Sequence, residues 1–264
     1  MQAAPRPSRR ERSGVDRVFL TRILRRAKPW LEASGHQAAA HVMPPVCPSC
    51  MAQLRADGDA LCADCRGALR PLAAPRCRGC GGTVDGLLEL CGDCLAGAAR
   101  PWERAVSVFD YGGRMRELVH RFKYNGGVCL APFFAAEMAA AWRRWAPDEP
   151  AEAVAPVPLH WRRRLRRGYN QAELLAAGIG AALGLPVRSL LRRARPTRQQ
   201  ARLEREARQR NVRGVFAARR RGAWPESVVV VDDVMTTGAT LEAAVRELKA
   251  AGVKRVCVLT LARG

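Results

Sequence analysis

Residues 228–240 read VVVVDDVMTTGAT. The four valines, Val228–Val231, have the composition of a strand buried on both faces, as in a parallel sheet covered by helices. The expected strand, Ser227–Val231, ends in two acids, Asp232 and Asp233. An N-cap beside a solvated acid is the bland reading of that pair. Adjacent carboxylates at the end of a buried strand are costly without a partner, which weighs against it. Thr236, Thr237, Gly238, Ala239 and Thr240 then lead into an expected helix, Thr240–Ala251, stopped by Gly252. Such a turn gathers backbone N–H groups, hydroxyls and a helix N-terminus at one point, which is a phosphate-binding arrangement. Gly238 lets the backbone approach the anion closely. The GxxxxGK[ST] pattern of a Walker loop is absent. Ligands of open α/β sheets bind at the carboxyl ends of strands, where this turn lies.

The elements upstream fit the same architecture. Strands are expected at Ala105–Tyr111, Glu152–Val157 and Arg255–Leu261. Helices are expected at Arg114–Tyr124, Leu130–Trp145 and Gln171–Leu183, the first with Leu118, Val119 and Phe122 at helical spacing. Arg198–Asn211 is highly charged and reads as helical or mobile. Strands alternating with helices argue for an α/β fold with a mainly parallel sheet and flanking helices.

Ahead of this region stand eight of the ten cysteines, in four CxxC pairs: Cys47/Cys50, Cys62/Cys65, Cys77/Cys80 and Cys91/Cys94. The pairs are separated by 11, 11 and 10 residues. Two thiolates two residues apart grip one Zn²⁺ from a tight turn, and a second pair completes the tetrahedron. Eight cysteines suit two closed Cys₄ sites, which are structural because no coordination position is left for a substrate. The simplest pairing takes Cys47, Cys50, Cys62 and Cys65 around one ion and the last four around another. An interleaved pairing, or one ion with some free thiols, fits the same spacing. Disulfides would require an export signal, and iron–sulfur centres usually show other spacings. Residues 47–100 are loop-rich and could not bury a core unaided, so the metal would supply folding energy. Cys129 and Cys257 stand alone in apolar surroundings and read as small core residues.

The net charge of +21 is localised. Residues 1–46 hold nine basic and three acidic residues, and residues 161–221 hold eighteen arginines and three glutamates. The remainder is neutral. Clustering of this kind is an electrostatic footprint for a polyanion. The preference for arginine, 41 against 4 lysines, has a compositional explanation, but the clustering does not share it. No run approaches the ~18–20 apolar residues of a membrane span. The basic N-terminus is not followed by the apolar region of a signal peptide. The chain therefore reads as soluble and cytoplasmic, with three parts: a basic tail over 1–46, a cysteine module over 47–100 and an α/β domain over 101–264. The tail contains a short amphipathic stretch within Val15–Trp30, to which no function attaches.

VVVVDDVMTTGAT resembles the phosphoribosyl-pyrophosphate (PRPP) signature of type I phosphoribosyltransferases. The resemblance extends from Cys47 to the C-terminus. HRFKYNG (120–126), PVPLHWRRRLRRGYNQAELLA (156–176), TRQQARLEREARQRNVRGVF (197–216) and the closing TLAR (260–263) are similar to blocks of the ComF family of competence proteins. That family combines an N-terminal double zinc ribbon with a type I phosphoribosyltransferase fold. The resemblance implies that Asp232 and Asp233 meet the ribose hydroxyls of PRPP and serve catalysis. It implies that Thr236, Thr237, Gly238, Ala239 and Thr240 hold the 5′-phosphate. Pro156, Val157, Pro158 and Leu159, with Arg162 and Arg163, would form the pyrophosphate loop, and Mg²⁺ would accompany PRPP. The segment 197–211 takes the place of the mobile loop that closes over PRPP.

Two functions are thereby expected. One is a PRPP-binding protein, or a phosphoribosyltransferase, acting in DNA uptake on an acceptor that the resemblance leaves open. The other is a single-stranded-DNA-binding competence protein that uses the fold as a scaffold. Arg162, Arg163, Arg166 and Arg167 would track the DNA backbone, and Trp161 and Tyr169 would stack bases. Ordinary packing is the preferred reading of those aromatics. Lys123 and Tyr124 either touch ligand or lie along the surface. A weaker third reading is a PRPP sensor that contacts a partner through the zinc module. Single-stranded DNA and a DNA-uptake helicase are the macromolecular partners the family implies.

Overall fold

The computed structural model describes residues 45–54, 59–86, 88–97, 99–124, 126–194, 214–219 and 223–264. The amphipathic stretch of the tail and most of the 197–216 block, including the charged segment 198–211, lie outside them. By its contacts the chain divides into two units, one of residues 1–47 and 52–59, the other of residues 48–51 and 60–264.

In the first unit a short hairpin surrounds Cys47. Val46 bridges Gln53 in antiparallel fashion. The Cys47 N–H donates to the Ala52 carbonyl and the Leu54 N–H to the Pro45 carbonyl, both at 2.7 Å. The second unit contains the same pattern thirty residues on. There Arg76 bridges Thr83, the Cys77 N–H donates to Gly82 at 2.7 Å, and the Val84 N–H to Pro75 at 3.0 Å. The later CxxC pairs each open a short helix, α1 (Ala63–Gly67) behind Cys62 and α2 (Gly92–Ala96) behind Cys91. The repetition seen in the cysteine pairs is thus a repetition of structure.

The α/β part follows. Its elements are β1 (Ala105–Asp110), α3 (Gly113–Tyr124), a 3₁₀ turn (Gly127–Leu130), α4 (Ala131–Trp145), β2 (Ala153–Pro156), α5 (Trp161–Arg167) and α6 (Gln171–Leu183). Then come β3 (Leu191–Arg193), β4 (Phe216–Ala218), β5 (Ser227–Met235), α7 (Ala239–Ala250) and β6 (Arg255–Arg263). Strands β1, β6, β5 and β2 form one sheet in that order, parallel throughout. Val228–Val231 are buried at the centre of it, as their lack of alternation requires. Helices α4 and α6 pack on one another and on the sheet. Leu118, Val119 and Phe122 of α3 are buried as their spacing requires. Phe122 meets Phe134 edge to face at 5.4 Å.

Three details differ from the expectations. Strand β5 does not end at the acids but runs on to Met235, pairing Val234 with Ala262 and Met235 with Arg263. The long β6 supplies a partner that the polar residues did not advertise. Strands β3 and β4 form a separate antiparallel pair that three-residue segments cannot announce by periodicity. Cys129 is exposed on the 3₁₀ turn, whereas Cys257 is buried against Glu149. The second cysteine set packs into the α/β core, in keeping with a segment that could not bury a core unaided. Cys77, Cys80, Val84 and Cys94 share one apolar cluster with Trp102, Val258 and Leu241. Among the described residues no helix is long and apolar enough to cross a membrane.

Candidate functional site

The turn after β5 is short. Met235 ends the strand, and Gly238 caps α7 with φ +82° and ψ −5°, a left-handed conformation that favours glycine. Gly238 and Ala239 are buried, Thr237 and Thr240 half-buried, and Thr236 exposed. The Ala239 N–H reaches the Thr237 hydroxyl at 3.4 Å. The first turn of α7 therefore presents backbone N–H groups at the carboxyl end of the sheet.

Asp232 and Asp233 stand at the entrance to this turn. Asp233 is 8% exposed, and its Oδ2 lies 3.0 Å from Lys123 Nζ at the end of α3. Burial works against the lysine's charge, but the Asp233 carboxylate outweighs it and holds the pKa above the usual lysine value. The Asp233 N–H donates to Asp232 Oδ1 at 2.9 Å. Burial, and then the neighbouring Asp233 carboxylate, push Asp232 up to about 7. The strongest pKa perturbation among the described carboxylates therefore falls on the residue singled out first from sequence.

The expected pyrophosphate loop is fixed beside them. The Val157 N–H donates to the Val231 carbonyl at 2.9 Å. Asn170 Nδ2 donates to the Val157 carbonyl at 3.2 Å, while Asn170 Oδ1 caps α6. Pro156 and Val157 are buried, and Pro158 and Leu159 half-buried. His160 is buried and caps α5, its Nδ1 accepting from the Arg162 N–H at 3.3 Å. Burial, followed by Arg193, Arg162 and Arg163, keeps its pKa below the usual histidine value.

The segment 169–171 also anchors Lys123. The Tyr169 hydroxyl donates to the Phe122 carbonyl at 2.6 Å, and Gln171 Nε2 to the same oxygen at 3.2 Å. A carbonyl near a helix C-terminus, lacking its intrahelical donor, is satisfied in this way. Tyr169 is thereby committed to packing, the reading preferred for it over base stacking.

The arginines of α5 separate into two groups. Arg162, Arg164 and Arg166 are exposed, whereas Arg163 and Arg167 are half-buried. Arg167 donates to Gln171 at 3.0 Å and to the Tyr124 hydroxyl at 2.9 Å, and lies 4.6 Å from the Tyr124 ring centre. Burial, and then Arg167, lower the pKa of Arg163. Arg193 of β3, not singled out from sequence, joins this group. Burial, and then Arg163, push it down to about 10 despite the opposing influence of Asp232. A three-residue strand from a separate sheet carries no signal that would have found it. The site thus combines two carboxylates, a lysine, at least two crowded guanidiniums and a helix N-terminus.

The cysteines converge as the simplest pairing expects. The sulfurs of Cys77, Cys80, Cys91 and Cys94 all lie within 4.8 Å of one another. The Cys91 N–H donates to Cys77 Sγ at 3.3 Å, a bond that favours thiolate. In the same unit Cys50, Cys62 and Cys65 come equally close together, with Cys50 and Cys62 sulfurs 3.5 Å apart. Cys47, the expected fourth ligand, is buried in the first unit. None of the ten cysteines forms a disulfide. The donor sets fit structural zinc: closed, all-thiolate and partly buried.

Fold and site together define a phosphoribosyltransferase-type α/β protein that carries cysteine ribbons. Residues 38–95 match the double zinc ribbon domain family and residues 225–264 the phosphoribosyl transferase domain family. The chain is 31% identical to competence protein F of Haemophilus influenzae, over 82% of its own length and 96% of the relative's. It is 32% identical to the DNA utilization protein YhgH of Salmonella typhi, over 84% and 98%. Competence protein ComFC of Bacillus subtilis matches at 28% identity over 70% and 76%. The chain belongs to the ComF family of competence proteins.

Proposed function

We propose that this chain binds PRPP, or a related sugar phosphate, with Mg²⁺ at the carboxyl end of β5, and that it acts in DNA uptake in the cytoplasm. The carrying observation is the Thr-Gly turn at the N-terminus of α7, set directly behind two adjacent carboxylates. On this reading residues 236–240 take the 5′-phosphate, and Asp232 and Asp233 take the ribose hydroxyls. Arg163, with Arg193 and Arg162, would offset the charge of the pyrophosphate. Burial, and then the neighbouring guanidiniums, lower the values of Arg163 and Arg193. A polyanion relieves the repulsion between them. If the protein is catalytic, the bond from ribose C1 to the pyrophosphate oxygen breaks and one to an acceptor nucleophile forms. The basic groups would then stabilise the leaving charge, with Mg²⁺ supplying further electrostatic stabilisation when bound.

Calorimetric titration with PRPP and Mg²⁺ tests the reading. Micromolar affinity that disappears in an Asp232→Asn/Asp233→Asn double variant is the expected result. Absence of binding to folded, zinc-loaded protein would remove it.

A second reading is favoured by the surface of α5. Trp161 is 58% exposed and Leu165 76%, with Arg162 5.2 Å from the Trp161 ring centre. An exposed aromatic among exposed arginines suits single-stranded DNA, whose bases stack and whose phosphates attract cations. The relatives named for competence and DNA utilization make this compatible with the first reading. A DNA-uptake helicase is the protein partner such a role would call for.

A further inference from the structure

Two residues, Arg100 and Trp102, lie between the second cysteine set and the phosphate turn. Trp102 Nε1 donates to the Gly79 carbonyl at 2.8 Å, inside the Cys77–Cys80 knuckle. The other edge of the same indole faces the turn, where a Cβ on Gly238 would meet it at 3.4 Å. Arg100 packs on this ring, 5.5 Å from its centre. Its Nη1 donates to the Thr237 carbonyl at 3.0 Å and pairs with Glu242 in the first turn of α7. The charge of this guanidinium and that of Cys94 favour one another. Its side chain is 13% exposed.

The charges explain why an arginine stands there. Four thiolates around Zn²⁺ leave a net charge of about −2, and this set lies in the apolar core. Buried charge of that size needs compensation. The charges of Arg100 and Arg263, acting on Cys94 and Cys80, supply part of it. Arg100 also neutralises Glu242, whose carboxylate would otherwise repel a phosphate from the start of α7. One guanidinium thus holds a carboxylate and a turn carbonyl while packing on the indole that reaches the Cys77–Cys80 knuckle.

We propose that Arg100 is a positioning residue through which the zinc-loaded Cys77, Cys80, Cys91 and Cys94 centre holds the phosphate turn in its binding conformation, so that metal retention and anion binding favour each other. The inference rests on the reading of residues 236–240 as a phosphate site. Coupling of this kind is reciprocal in binding free energy, so PRPP tightens zinc at that centre, and tighter binding is expressed mostly as slower release.

The test uses the full chain carrying Cys62→Ser, which removes a ligand of the first set and leaves the second set as the closed one. Zinc release to a colorimetric chelator is followed with and without saturating PRPP and Mg²⁺, and PRPP affinity is measured on the same samples by calorimetry. PRPP is expected to slow release by about fivefold or more. In Arg100→Gln, PRPP should bind more weakly and leave release unchanged. Arg100→Lys keeps the charge but not the fork, and should recover less than half of the protection. PRPP binding with no effect on release in the Arg100-containing protein overturns the coupling while leaving the phosphate reading intact. Failure to bind PRPP at all overturns both. Should Arg100→Gln not fold, that first comparison and the lysine variant still decide the matter.

Discussion

At the residue scale, the site is governed by Asp232. Its neighbours are a like charge and a buried environment, and both favour the protonated acid. An acid whose folded pKa is raised contributes stability that is fully present below its unfolded value of about 3.9 and is lost as pH rises through about 7. Ligand-free protein should therefore lose stability between roughly pH 4 and 7 from this residue. Asp232→Asn should abolish that component and raise stability at pH 8 by about 1–2 kcal/mol, after discounting for its partial exposure. Denaturant midpoints across pH check this. PRPP affinity should move the opposite way, rising several-fold from pH 6 to pH 8 as the carboxylate ionises to accept the ribose hydroxyls. The wild-type profile should be lost in the asparagine variant. A flat stability profile in the wild-type protein would show that Asp232 is ionised throughout.

At the element scale, α5 concentrates the question of DNA. Seven residues, WRRRLRR, leave Trp161, Arg162, Arg164, Leu165 and Arg166 exposed while Arg167 turns inward to Tyr124 and Gln171. Charge clustering was legible in the sequence, but which arginines face water was not. That depends on Tyr124, which α3 brings from more than forty residues away. Anisotropy titrations with a fluorescent single strand should show Trp161→Ala losing about 1–3 kcal/mol of affinity. Arg162→Ala and Arg166→Ala should each weaken binding and reduce the salt slope by about one. PRPP affinity should hardly change in Trp161→Ala and Arg166→Ala. Equal DNA affinity in all three variants would remove α5 as the interface. The same contrast holds elsewhere in the fold. Gln171–Leu183 was readable to the residue because its caps, Asn170 and Gly184, are local. The extension of β5 through Asp232 and Asp233 was not, because β6 supplies the pairing.

At the scale of the whole molecule, the cysteine repeat and the phosphate turn looked like separate modules in the sequence. Both motifs were readable because each is contiguous. Their shared core was not, since Trp102 and Arg100 belong to neither motif and act only once the chain is folded. The consequence is thermodynamic. Cys77, Cys80 and Cys94 pack in the same cluster as Met235, Ala239 and Leu241 around the phosphate turn. Removing the metal from that set would leave thiolates to protonate in the core and slacken the packing beneath α7. Zinc binding is then part of the folding energy of the α/β region as well as of the ribbon. Cys77→Ser and Cys94→Ser should each lower the melting temperature of the protein in one cooperative transition, by several degrees or more for a loss of about 2–4 kcal/mol. Tryptophan fluorescence, which includes Trp102, and far-ultraviolet circular dichroism, which is dominated by the α/β elements, should report the same midpoint. An early fluorescence change with the dichroism unmoved would mean that the ribbon unfolds independently. In that case the shared cluster would contribute little to stability.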